Sequence, residues 1–196
     1  MASISLKYKS KSGNLTAPGD VDPGAMIPIA TTTLSSNTAT VTFSSIPQGY
    51  EHLQIRVLAR TDRANAQGDY IKLNFNSDTA ANYAGHELSG WNGSALGAAN
   101  TSVGAAYVNR FAAANQAANT FGAGVIDILD YANTNKYKTV RSLAGWVDTT
   151  AGNPHFNSAL WNSTSAITSI AIIAGGGTVL TQYSSFALYG IKRAGA

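Results

Sequence analysis

The chain has 196 residues, enough for one domain with its own core, and carries 13 Lys and Arg against 10 Asp and Glu, a net charge of +3. Charged residues make up 12% of it, about half the usual share, and such a surface resists self-association weakly and suits a protein packed against neighbours. With no cysteine, disulfides and thiolate metal sites are excluded; no apolar run approaches the ~20 residues of a membrane span, and Met1 to Ser10 lacks the apolar region of a signal peptide.

Residues 1–37 hold three of the five prolines, Pro18, Pro23 and Pro28, interspersed with Gly13, Gly19 and Gly24. Proline removes a ladder donor and biases its predecessor toward extended geometry, so the segment is predicted to be an irregular, extended arm. Lys7, Lys9 and Lys11 alternate on one side of an extended chain. An acidic protein surface is their first expected partner, ahead of solvent and of nucleic acid, because no basic patch elsewhere extends the row. Met26, Ile27 and Ile29, in "AMIPIA", are the apolar docking candidates of the arm.

Residues 38–196 are read as one β-sandwich domain. Nine strand-like runs follow: "TVTF" from Thr40, "HLQIRVLAR" from His52, "YIKLNF" from Tyr70, "AAYVNRF" from Ala105, "GVIDILDY" from Gly124, "KTVRSLAGW" from Lys138, "FNSALW" from Phe156, "ITSIAIIA" from Ile167 and "FALYGIK" from Phe186. Each is bounded by Gly, Asn, Ser, Asp or Pro. Short strands at this spacing predict an all-β fold, an antiparallel sandwich of jelly-roll-like topology. In the second run Leu53, Ile55, Val57 and Ala59 point one way, and His52, Gln54, Arg56 and Arg60 the other. That polar face is read as a candidate interface, with an arginine pair bridging neighbouring strands as the bland alternative. The last run is apolar on both faces and is expected to be central or doubly covered.

Between these runs, "FNSDTAANY" from Phe75 has the oxygen-bearing side chains of a calcium loop but one carboxylate, and reads better as a side-chain-bonded turn. Trp91, in "SGWNGS", is placed in a loop as a candidate exposed contact, whereas Trp146 and Trp161 end apolar runs and are assigned to the core. "AAANQAAN" from Ala112 is read as a hairpin loop rather than a helix, which makes Asn115 the other exposed loop candidate. "AGGGTV" from Ala174 lacks the Lys and helix of a phosphate loop and reads as a bend between strands.

Chemistry finds little purchase. His52, His86 and His155 lie in separate elements, and adjacent His86 and Glu87 point to opposite faces of a strand. Asp127 and Asp130, three apart, also project oppositely and make a poor acid and base pair. No catalytic residue, metal or cofactor is expected.

In order, "VTFSSIPQGYEHLQIR" from Val41, "LNFNSDTAANYAGHEL" from Leu73, "VIDILDYANTNKYKTVRSL" from Val125, "ALWNSTSAITSI" from Ala159 and "SSFALYGIK" from Ser184 resemble a β-rich module recurrent in virion proteins of tailed bacteriophages, familiar in cyanophages. The Phe-Ser-Ser-Ile-Pro opening and the Tyr-Gly-Ile close are its most specific marks. The resemblance implies a non-enzymatic virion component assembled in the host cytoplasm. The first expectation is a capsid decoration (cement) or head-fibre protein, attached to the major capsid protein by its arm. The alternative is a tail-fibre or receptor-binding protein whose loops touch host glycan. A homo-oligomer is expected, a trimer ahead of a two-fold dimer. Ser77 stands where the module has Gly, so the positive φ of that turn is in question.

Overall fold

The computed structural model describes residues 24–193 apart from Asn92 and Thr150. Lys7, Lys9 and Lys11 lie outside the described residues. Twelve strands follow in order: β1 (Met26–Thr33), β2 (Thr40–Phe43), β3 (His52–Ala59), β4 (Gly68–Phe75), β5 (Tyr83–Trp91), β6 (Ser94–Val103), β7 (Ala106–Ala112), β8 (Gly122–Leu129), β9 (Lys138–Val147), β10 (Gly152–Trp161), β11 (Ile170–Ala174) and β12 (Ser185–Ile191). They form an eight-stranded sheet in the order β1-β12-β3-β8-β9-β10-β5-β6 and a four-stranded sheet in the order β2-β11-β4-β7. Every pairing of these strands is antiparallel. The chain crosses repeatedly between the sheets, as a jelly-roll-like sandwich requires, and all nine anticipated runs are strands.

The core fills the space between the sheets. Leu53, Ile55 and Val57 of β3 meet Ile126 and Ile128 of β8, Phe186 and Leu188 of β12, and Ile71, Leu73 and Phe75 of β4 within one buried cluster. Each such side chain contributes about 1.5–3 kcal/mol by leaving water. Trp146 and Trp161 are buried as expected. Trp161 stacks on Tyr83 at 6.3 Å and donates from its indole to Asp78 Oδ2 at 2.7 Å.

Three strands escape the alternation reading. Met26, Ile27 and Ile29 belong to β1, the edge strand that pairs along β12, with Met26 opposite Ile191 and Thr31 opposite Ala187. The part of the expected arm from 26 to 33 is therefore sheet; its Pro28 sits beside a register shift on an edge, where a missing N–H is tolerated. β5 and β6 form a hairpin over residues read as loop, and β6 is exposed on nearly every side chain. The expectation for the last run changes too: β12 lies one strand in from the edge, and its outward Ala187, Tyr189 and Ile191 are half-buried, with no second layer needed.

Local backbone geometry explains two more residues. Asn76 and Ser77 both take positive φ, 52° and 60°, and Asp78 N donates to Phe75 O at 2.8 Å, so serine adopts the left-handed turn despite its Cβ. Asn76 is held there by its side chain, which accepts from Thr168 N and Ser169 N and donates to Ala166 O. In β7, Asn109 has φ 93° and the register against β4 shifts, so Val108 and Asn109 are both buried: a bulge that breaks the alternation. At the Tyr-Gly-Ile mark, a Cβ on Gly190 would stand 2.3 Å from the Tyr50 ring, so glycine is what lets that ring lie on β12.

Candidate functional site

The outer face of the eight-stranded sheet carries the features expected of a contact surface. Strand registers align its side chains into rows that run across the strands. One row passes from Ala187 through Arg56, Val125, Leu143 and Phe156 to Leu88. Leu143 is 63% exposed and Phe156 44%, in a position where a soluble monomer places polar groups. The next row is polar: Tyr189, Gln54, Asp127, Arg141, Ser158 and His86. Gln54 donates to Asp127 Oδ1 at 2.8 Å and accepts from Arg56 Nε at 2.9 Å. Arg141 is exposed and makes no hydrogen bond or ion pair among the described residues. A shallow depression of about 530 Å³ opens on the β12, β3 and β8 side, floored by small residues such as Ala123, Gly124 and Ala187.

The four candidates from the β3 region divide. Gln54 and Arg56 belong to this face. His52 accepts the Asp130 backbone N–H at 3.0 Å through Nδ1, at the strand's other end. Arg60 is taken up internally: its guanidinium donates to Ala117 O (2.8 Å), Thr120 O (3.1 Å), Ala114 O (3.1 Å) and Gln116 O (3.0 Å). Those carbonyls belong to the "AAANQAAN" segment and its end. That segment is not a hairpin loop, since it crosses from β7 in one sheet to β8 in the other. Arg60 staples the crossover, so its guanidinium donors are engaged within the chain.

Trp91 and Asn115 sit at one end of the sandwich. Trp91 closes β5 rather than standing in a loop, and packs edge-on against Trp146 at 5.8 Å. Asn115 is exposed, but its backbone N–H donates to Ala66 O at 3.0 Å, and neighbouring Gln116 ties to Gln67 O at 2.8 Å.

A polar group that sequence reading missed lies between the sheets. Arg110 donates to the Tyr70 hydroxyl at 2.8 Å, and Tyr70 donates to the Glu87 carboxylate at 2.8 Å. His155, 1% exposed, places Nδ1 3.1 Å from Asn109 Oδ1 and Nε2 3.6 Å from Glu87 Oε2. Burial pushes the His155 imidazole below its ordinary value, with Arg110 adding to the effect and Glu87 opposing it. Burial likewise pushes the Tyr70 phenol up. These residues come from β4, β5, β7 and β10, and they bind the small sheet to the large one. Only the opposite facing of His86 and Glu87 was legible beforehand.

Three other clusters are locally satisfied. Glu51, His52 and Asp130 bring one ligand atom each within 4.8 Å, yet Lys136 donates to Asp130 at 2.6 Å and Arg193 lies 3.7 Å from Glu51, so cations already neutralise the carboxylates. Asp78 accepts from Ala80 N, Asn82 Nδ2 and Trp161 Nε1, which makes this stretch the side-chain-bonded turn expected of it and holds the Asp78 carboxyl below the usual range. The glycine bend binds carboxylates of its own chain: buried Asp69 accepts from Gly176 N and Gly177 N, each at 2.9 Å, and Asp62 from Thr178 N and Val179 N. No family model, curated protein or solved structure matches this chain.

Proposed function

We propose that the chain is a non-enzymatic structural protein of a bacteriophage virion, a capsid decoration or head-fibre protein that works by assembling with other copies and with the major capsid protein. The observation that carries this reading is the outer face of the eight-stranded sheet, where an apolar row stands uncovered beside a row of polar partners. A side chain such as Leu143 gains about 1.5–3 kcal/mol when a partner covers it, so a row of them favours association. The stretches between Val41 and Lys192 that resemble a virion module support that setting, and the stapled loops are in keeping with a scaffold. Because Met26, Ile27 and Ile29 are part of β1, capsid attachment falls to the segment with Lys7, Lys9 and Lys11.

A second reading, a tail-fibre or receptor-binding protein, is favoured by the shared location of Trp91 and Asn115 at one end, where host glycan would be met. Immunogold labelling of intact particles separates the two. Gold over the heads is the expected result. Gold confined to tails overturns the decoration reading, and no gold on any particle overturns both.

A further inference from the structure

We infer that the outer face of the eight-stranded sheet binds the same face of a second copy, in a two-fold dimer whose axis runs along the strand direction between β8 and β9. The inference rests on the assembly reading above and names its first partner. β8 and β9 are the middle strands of the sheet, so this axis passes through the centre of the face. Strands at about 4.8 Å spacing and eight residues at about 3.4 Å rise give a face of roughly 900 Å², against the ~800 Å² per partner of a standard-size interface.

Self-complementarity selects the axis. It lays β8 over the second copy's β9 and β3 over its β10, with every row kept in step. Asp127 and Arg141 are opposite one another in the register of β8 and β9, so Asp127 then meets the second copy's Arg141 and Arg141 meets its Asp127. An acidic partner would meet Asp127 and a basic one Arg141; the same face reversed satisfies both. In the neighbouring row Val125 meets the second copy's Leu143, and Arg56 lies over its Phe156, an arginine on an aromatic ring.

Shape agrees with charge. The depression floored by Ala123, Gly124 and Ala187 spans β12, β3 and β8 and reaches Leu143 and Ala144 of β9 at its rim, while the bulky Phe156 and Leu88 stand beyond it on β10 and β5. The two-fold places each bulky half over the other copy's depression. An in-plane axis perpendicular to the strands lays each strand over its own copy and reverses the order of the rows, so Asp127 meets either a second Asp127 or an apolar row such as that of Val125, and no placement of that axis pairs Asp127 with Arg141. The aligned arrangement matches ordinary sheet-on-sheet packing.

The test is sedimentation equilibrium of the full chain, with near-UV circular dichroism to confirm folding of each variant. The wild type is expected to sediment as a dimer at tens of micromolar. Asp127→Arg and Arg141→Asp should each weaken it about tenfold or more, and the double variant D127R/R141D should recover most of that loss. Leu143→Ser, at an exposed position where folding is not at stake, should also give monomer. A wild type that stays monomeric, a Leu143→Ser protein of unchanged mass, or a double variant no better than the singles each overturns the dimer. Gold on particle heads alongside a monomeric protein would defeat this inference and leave the virion reading standing; a dimer without gold on particles would do the reverse.

Discussion

Arg56, midway along β3, and Arg60, just past its end, have opposite fates. Arg60 is engaged by four carbonyls of the β7–β8 crossover, whereas Arg56 is exposed and, among the described residues, its side chain bonds only to nearby Gln54. The loop end of the sandwich ties its crossover and glycine bend by hydrogen bonds within the chain, and the outer face of the large sheet leaves Leu143, Phe156 and Arg141 exposed. Closed bonding fixes shape; an open face awaits a partner.

Substitutions at the closed end should therefore show in the stability of the monomer. Asp69→Ala has the largest expected effect, about 3 kcal/mol by chemical denaturation, because the N–H groups of Gly176 and Gly177 and the Thr61 hydroxyl lose their buried acceptor. Arg60→Ala should cost about 2 kcal/mol, since the crossover carbonyls lose charged donors. Arg56→Ala should change monomer stability by no more than about 0.5 kcal/mol. Equal losses for the two arginines would erase the distinction between the regions.

The inter-sheet group adds a pH dependence. His155 is depressed by burial in the folded state and returns to about 6.5 on unfolding. The unfolded chain thus binds more protons below that pH. Stability should be level above about pH 6.5 and fall as pH drops toward the folded value, and His155→Gln should flatten that limb. The lowered carboxyls of Asp62, Asp78 and Asp130 act further down, where stability is lost as pH falls below about 4. Denaturant midpoints measured from pH 8 to pH 3 resolve the two limbs. One substitution should be a gain: Ser77→Gly should stabilise the fold by about 1 kcal/mol, because glycine takes φ 60° without a Cβ penalty.

What the sequence revealed follows from the same physics. Alternation was legible wherever a strand buries one face, as in β3, where Leu53, Ile55 and Val57 are in the core and Arg56 is out. It failed for β6, where exposure on both faces removes the pressure to alternate, and for β1, which carries a proline and a register shift. The Asn109 bulge hid the inward turn of a polar side chain. Part of the contact face was visible in Gln54 and Arg56, but the rows were not, because they arise from pairing across six strands. Arg60 was misplaced because its carbonyl partners lie 54 to 60 residues along the chain.

Hydroxyl-radical footprinting of the dilute protein and of the protein in intact particles tests the open face most directly. Leu143 and Phe156 should be labelled in the dilute protein and protected in the particle, while Tyr183, exposed on the loop before β12, stays labelled as the internal reference. Equal labelling of Leu143 and Phe156 in both states would contradict an assembly role for this face.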